Sequence, residues 1–297
     1  MSVSEETQNE EAQLDLVLSL DDDDYDKTIE EFSEIIRNEP DNAKAYGLRG
    51  YAYWLKGCYD EAISDCTEAI RLDPNYAIAY FTRGNSNFMK YQFDEAISDC
   101  TEAVRLDPNY TMAYYIRGNA YGNKGQFDQA INDFTEAIRS DSNNALAYFS
   151  RGNIYRLKNQ PDQAIDDCTE AIRLAPNYVS AYTCRGDAYE RKGRYDEAIS
   201  DCTEAIRLDP NTWDAYGFRG FAYFDKEQYD QAINDFTETL RLNPNIPEPN
   251  IAEVYLFRGK SYDQLEQTEQ AIQDFEKVLK IIPDFKFAKE RLQELCG

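Results

Sequence analysis

AIAYFTRGNSNFMKYQFDEAISDCTEAVRLDPNY, residues 77–110, holds two apolar-periodic runs divided by a short polar turn. Each run extends roughly 13 residues, too long for an ordinary strand, so both are expected to be helices. The Arg83-Gly84 pair inside the segment returns elsewhere. It occurs as Arg49-Gly50, Arg117-Gly118, Arg151-Gly152, Arg185-Gly186 and Arg219-Gly220, always 34 residues apart. A seventh pair, Arg258-Gly259, follows after 39. Five residues are therefore inserted, near Pro247–Ile251, where the prolines favour an extended loop.

Placing the Gly at the eighth position gives seven units: 43–76, 77–110, 111–144, 145–178, 179–212, 213–246 and 252–285. Tyr46, Tyr80, Tyr114, Tyr148, Tyr182, Tyr216 and Tyr255 share the fourth position. The twentieth position is always Ala, from Ala62 to Ala271, and the thirty-second is Pro except at Ser142. This pattern resembles the tetratricopeptide repeat family, whose repeat is a 34-residue helix–turn–helix with small residues, aromatics and Pro at fixed offsets. The resemblance implies an all-α fold, an α-solenoid in which stacked pairs form a right-handed superhelix with a concave face. Residues 25–42 extend the pattern as the second helix of a degenerate repeat, with residues 1–24 an acidic leader that holds part of its first helix. Residues 286–297 read as a C-terminal capping helix with Phe287, Leu292 and Leu295 on one side.

Composition removes several function classes. The chain has 297 residues, net charge −25 and no histidine. Ser-His-Asp, Cys-His and His-ligated zinc chemistry are therefore absent. So strong an acidity argues against a nucleic-acid binder. Residues 1–42 carry 15 acids and 2 bases, a net of −13, and the other 255 carry −12. The leader is either an interaction tail or a solvated extension. No targeting signal or membrane span is found, which gives a cytoplasmic expectation. No cofactor, metal or catalytic site is expected, because carboxylates repeated in every unit lack the single unusual environment of an active site.

Residues common to all units serve the repeat. The Arg before each Gly faces an Asp at the twenty-third position, Asp65 through Asp274, and is expected to form a partly buried ion pair. Cys66, Cys100, Cys168 and Cys202 share the twenty-fourth position with Phe134, Phe236 and Phe275, so they are expected to be buried apolar groups and reduced thiols. Asp60, Asp94, Asp128, Asp162, Asp196 and Asp230 are expected to cap the second helices. Asn75, Asn109, Asn143, Asn177 and Asn211 are expected to cap the following first helices.

Function is sought in what varies. The resemblance implies that positions two, five, six, nine, twelve and thirteen line the groove. Units two to four place there Phe81/Asn85, Tyr115/Asn119 and Phe149/Asn153, each pair four residues apart on one helix face. An Asn amide both donates and accepts, so such a row can hold a peptide backbone, as the asparagine ladders of this family do. Alternatively the Asn residues are polar filler. Trp54 and Met89 complete the candidate set. Later units instead carry Asp187, Glu190, Asp214, Asp225, Glu253 and Asp263 at groove positions, with Arg191 and Lys260. The expectation is a non-enzymatic adaptor that binds an extended peptide or partner protein, apolar and basic in character. Lys and Arg are missing from the positions that clamp acidic chaperone tails in the family, Lys44 apart, so such a tail is not expected. A self-associating scaffold is the alternative, followed by a regulatory domain of an enzyme complex.

Overall fold

The computed structural model describes residues 24–244 and 246–296. The acidic leader and the degenerate first helix expected before residue 24 lie outside the described residues. Sixteen helices and no strand are present among those described. The chain divides into two compact units, residues 1–143 and 144–297.

The first unit contains α1 (Asp24–Asn38), α2 (Ala43–Leu55), α3 (Tyr59–Leu72), α4 (Ala77–Met89), α5 (Phe93–Leu106), α6 (Thr111–Asn123) and α7 (Phe127–Ser140). Each helix packs on the next, and α2, α4 and α6 also touch in turn. The first helices of successive repeats thus line one face. In the second unit the same order runs through α8 (Ala145–Leu157), α9 (Pro161–Leu174), α10 (Val179–Arg191), α11 (Tyr195–Leu208), α12 (Trp213–Asp225), α13 (Tyr229–Leu242), α14 (Glu248–Gln264), α15 (Thr268–Ile281) and α16 (Lys286–Cys296). Here α8, α10, α12 and α14 adjoin in turn. This pairwise stacking is the solenoid arrangement.

Close approach at the recurring Gly explains why the paired helices fit. A Cβ on Gly50 would lie 2.7 Å from Cys66 Sγ, and one on Gly118 would lie 2.9 Å from the Phe134 ring. The twenty-fourth position therefore packs directly into the gap that the eighth leaves open. Cys66, Cys100, Cys168 and Cys202 are fully buried there, and all seven thiols are free. Burial pushes the Cys66 and Cys100 thiols up, which leaves them unreactive.

The Arg–Asp pairs form as expected, each in a two-pronged geometry. Arg83 Nε and Nη2 donate to Asp99 at 2.9 and 2.7 Å, and Arg117 to Asp133 at 2.8 and 2.7 Å. Arg185–Asp201, Arg219–Asp235 and Arg258–Asp274 repeat the contact in the second unit. The remaining nitrogen reaches back to the preceding repeat. Arg83 Nη1 donates to Thr67 and Arg117 Nη1 to Thr101, at 3.2 and 3.1 Å. Arg185 and Arg219 treat Thr169 and Thr203 likewise.

The capping expectations are corrected. The second helices begin at the residue before each Asp, so Asp60 and its equivalents lie inside the first turn. Their carboxylates still favour the positive helix end. Asp60, Asp94, Asp162 and Asp196 instead accept from Lys90, Lys124, Lys192 and Lys226 of the following repeat. Asn75, Asn109 and Asn211 do not cap either. Their backbone N–H groups donate to Asp73, Asp107 and Asp209 in tight turns. Asn42 and Asn144, one residue further on in the repeat, do cap by accepting from Ala45 and Ala147. The inserted residues are not an extended loop, since α14 starts at Glu248 with Pro247 as its N-cap. Proline is tolerated in a first turn because no N–H is needed there.

Candidate interaction surface

On the first unit the candidates Trp54, Phe81, Asn85, Met89, Tyr115 and Asn119 come from α2, α4 and α6. Phe81 is buried at 4% exposure, its ring centroid 4.9 Å from that of Tyr110 in a tilted arrangement, and is packed with Leu48, Tyr51, Val104 and Ile116. It is a core side chain that shapes the face from beneath. Trp54 is half-buried, 5.3 Å from Tyr51. Tyr115 is half-buried beside Phe134, and Met89 is exposed.

The two amides differ from these. Asn85 is 3% exposed, yet its side chain makes no hydrogen bond among the described residues. Among the described residues the sealed, unpartnered side-chain atoms are Thr82 Oγ1, Ser140 Oγ and Gln160 Oε1, and Asn85 is not among them. Its amide therefore keeps a small opening to solvent. Asn119 is half-exposed and its amide is equally unspent, although its backbone carbonyl accepts from Asn123.

On the second unit, Phe149 packs 4.9 Å from Tyr178, and Asn153 is no longer available as an acceptor. Arg156 Nε and Nη2 donate to Asn153 Oδ1 at 3.1 and 3.0 Å. Arg156 Nη1 donates to Asp187 at 2.9 Å, and Arg191 Nε reaches the same carboxylate at 2.8 Å. Asp187 holds the ninth position, in register with Asn85, Asn119 and Asn153, and is 1% exposed. In the second unit the ninth-position side chains Asn153 and Asp187 are thus tied into a guanidinium–carboxylate network. Arg156 is the one base at the twelfth position of any repeat, which is the sequence signal that would have revealed it.

Beside this network lies a cavity of about 400 Å³ lined by Phe149, Trp213 and Phe218 together with Asn153, Arg156 and Asp214. Burial pushes the Asp214 carboxyl up against the pull of its hydrogen bond from Ala215 N–H. Glu190 is raised to about 7, first by burial and then by Asp187 and Asp225. Lys260 and Asp263, expected in the groove, are engaged by the capping helix. Lys260 sits over the Phe257 and Phe287 rings, and Asp263 accepts from Arg291.

Among the described residues no cluster of His, Cys, Asp or Glu is arranged to hold a metal ion. No helix among them is long and apolar enough to cross a membrane.

Models of the tetratricopeptide repeat match residues 43–76, 77–110, 115–179, 179–212, 213–246 and 252–285. No curated protein matches the chain. Among solved structures it is similar to YrrB, described as a TPR protein with an unusual peptide-binding site. The identity is 26%, the TM-score 0.53, and 61% of this chain and 93% of that one are covered. MamA protein is 28% identical with TM-score 0.52, covering 57% of this chain and 92% of that one. A tetratricopeptide repeat protein from Parabacteroides merdae shares the fold at 20% identity and TM-score 0.59, covering 91% and 100%.

Proposed function

The chain belongs to the tetratricopeptide repeat family, and from that premise we propose that it is a non-enzymatic adaptor holding an extended peptide of a partner protein on its first-helix faces. One observation carries the reading. Asn85 presents a nearly buried amide with no protein partner, and Asn119 presents a second one in register on the next first helix. Each amide has a donor and an acceptor that no protein group uses, and a peptide backbone unit supplies the matching pair. Trp54, Tyr115 and Met89 offer apolar contact beside the amides, with Phe81 supporting them from the core. On the second unit Phe149 and Asn153 hold the equivalent repeat positions, and Asn153 retains only its donor capacity. The described peptide-binding site of YrrB is consistent with this use of the fold.

The test is the double substitution Asn85→Ala with Asn119→Ala. Neither removes a hydrogen bond that the protein itself makes, so helical content and melting stay near wild type. Peptide affinity is expected to fall at least tenfold, measured by fluorescence anisotropy. Unchanged affinity in the double variant would sink the ladder.

A further inference from the structure

We infer that the second unit holds a pocket for a free aromatic α-amino acid, its carboxylate met by Arg156, its ammonium by Asp214 and its ring by Phe149, Trp213 and Phe218. The ligand is a small molecule rather than a peptide, and every residue involved belongs to the one unit, residues 144–297.

The cavity of about 400 Å³ falls within the roughly 300–1,000 Å³ of small-molecule sites. Its lining departs from the repeat at three places. Arg156 of α8 is the one base at the twelfth position. Trp213 of α12 is the one aromatic at the first position, where other units have Ala43, Ala77, Thr111, Ala145, Val179 and Ala252. Asn250, at the start of α14, comes from the five inserted residues that interrupt the array. All three line this cavity. Residues that serve the stacking recur from copy to copy. Departures from three separate segments that meet at one hollow are therefore fitted to a ligand.

The charges fix the class of that ligand. Arg156 and Asp214 line the same cavity with opposite sign, yet among the described residues they do not pair. Arg156 Nη1 donates to Asp187, and Nε and Nη2 donate to Asn153 Oδ1. Each terminal nitrogen carries a second N–H that these contacts leave unused. Arg191 also donates to Asp187, so two guanidiniums share one carboxylate. Asn153, its oxygen spent, keeps an NH2 donor beside Arg156. Such a donor group suits a carboxylate. Asp214 accepts from the Ala215 N–H at 3.0 Å and enters no ion pair among the described residues. Its remaining lone pairs suit an ammonium. Two opposite charges that line one cavity without touching match a molecule that carries both charges itself. An internal peptide unit carries neither, and a peptide terminus carries one. Phe149, Trp213 and Phe218 are half-buried and offer ring faces and edges to a further aromatic ring.

The experiment is isothermal titration calorimetry on the full chain at neutral pH, backed by equilibrium dialysis. L-Phenylalanine is compared with phenethylamine, which lacks the carboxylate, phenylpropionate, which lacks the ammonium, and N-acetylphenylalaninamide, which lacks both charges. L-Phenylalanine is expected to bind, and each analogue to bind about tenfold more weakly or worse. In Asp214→Asn the amide oxygen can still accept from the Ala215 N–H. There L-phenylalanine affinity is expected to fall about tenfold, while phenylpropionate affinity does not fall. The Asn85→Ala with Asn119→Ala variant is expected to bind L-phenylalanine as wild type does, so the amide ladder and this pocket are read separately. N-acetylphenylalaninamide binding as tightly as L-phenylalanine would make the cavity a side-chain pocket for peptides and overturn the inference. Wild-type affinity in Asp214→Asn overturns it as well. So does the absence of binding up to the solubility limit of L-phenylalanine.

Discussion

The first-helix faces of the two units start from the same repeat and solve one position differently. At the ninth residue the first unit places Asn85 and Asn119, whose amides are unspent. The second places Asp187, whose carboxylate is gripped by Arg156 and Arg191. One surface leaves these amides without a protein partner, and the other spends its ninth-position group internally and leaves surplus negative charge around Glu190. The frame tolerates both because its stability resides elsewhere, in the Gly–Cys or Gly–Phe contact and the Arg–Asp pair that every repeat carries.

The sharpest way to break this comparison is to remove the side chain at the ninth position in each unit. Asp187→Ala removes the acceptor of one charged hydrogen bond from each of Arg156 and Arg191 and is expected to cost about 1–3 kcal/mol in urea unfolding. Asn119→Ala is expected to change stability by less than about 0.5 kcal/mol, because no hydrogen bond is lost. Equal costs would mean that the two faces are built alike.

The turn at the fifteenth position gives a smaller contrast, between Gly and non-Gly residues that occur in both units. Tyr91 in the first unit and Gly193 in the second both have positive φ, 61° and 70°. Only Gly adopts that region without strain. Gly193→Ala is expected to cost about 1 kcal/mol, and Tyr91→Gly to stabilise by about 0.5 kcal/mol after the greater entropy of the unfolded Gly is counted. Thermal melts of the two variants should move in opposite directions.

Glu190 sharpens the comparison through pH. Its native carboxyl holds a proton up to about 7, above its ordinary unfolded value. The native state then binds more protons than the unfolded one, so stability falls as pH rises between those values and levels off above 7. Glu190→Gln removes that loss. The variant is expected to match wild type near pH 4 and to exceed it at pH 8 by roughly 1 kcal/mol, the partly exposed carboxyl being screened by water. A wild-type difference that persists at pH 4 would assign the effect to packing.

Most of the scaffold was legible because a repeat supplies its own control. Arg83 and Asp99 could be paired on sequence grounds, since both recur in every copy and lie on helices that must touch. Cys100 could be placed in the core because Phe134 occupies its position in the next unit. The Lys90–Asp60 contact was missed although its period is equally regular. It joins neighbouring repeats, and the stacking register that brings those residues together is not written in either residue alone. The caps failed for a related reason: Asp60 sits one residue inside its helix, a shift that composition does not show. For the candidate site, Phe81 and Tyr115 looked equivalent. Packing sets the Phe81 ring against Tyr110 and leaves Tyr115 half-open beside Phe134, a difference that the shared repeat position does not show.

The guanidinium that holds Asp99 with two nitrogens and Thr67 with the third has a mechanical consequence. Within each unit a single side chain fastens a repeat both to itself and to the one before it. Loosening one repeat therefore also frays its neighbour's grip, and strain travels along the stack as through a row of dominoes rather than a string of beads. Hydrogen exchange should show adjacent helix pairs within each unit opening together rather than one at a time.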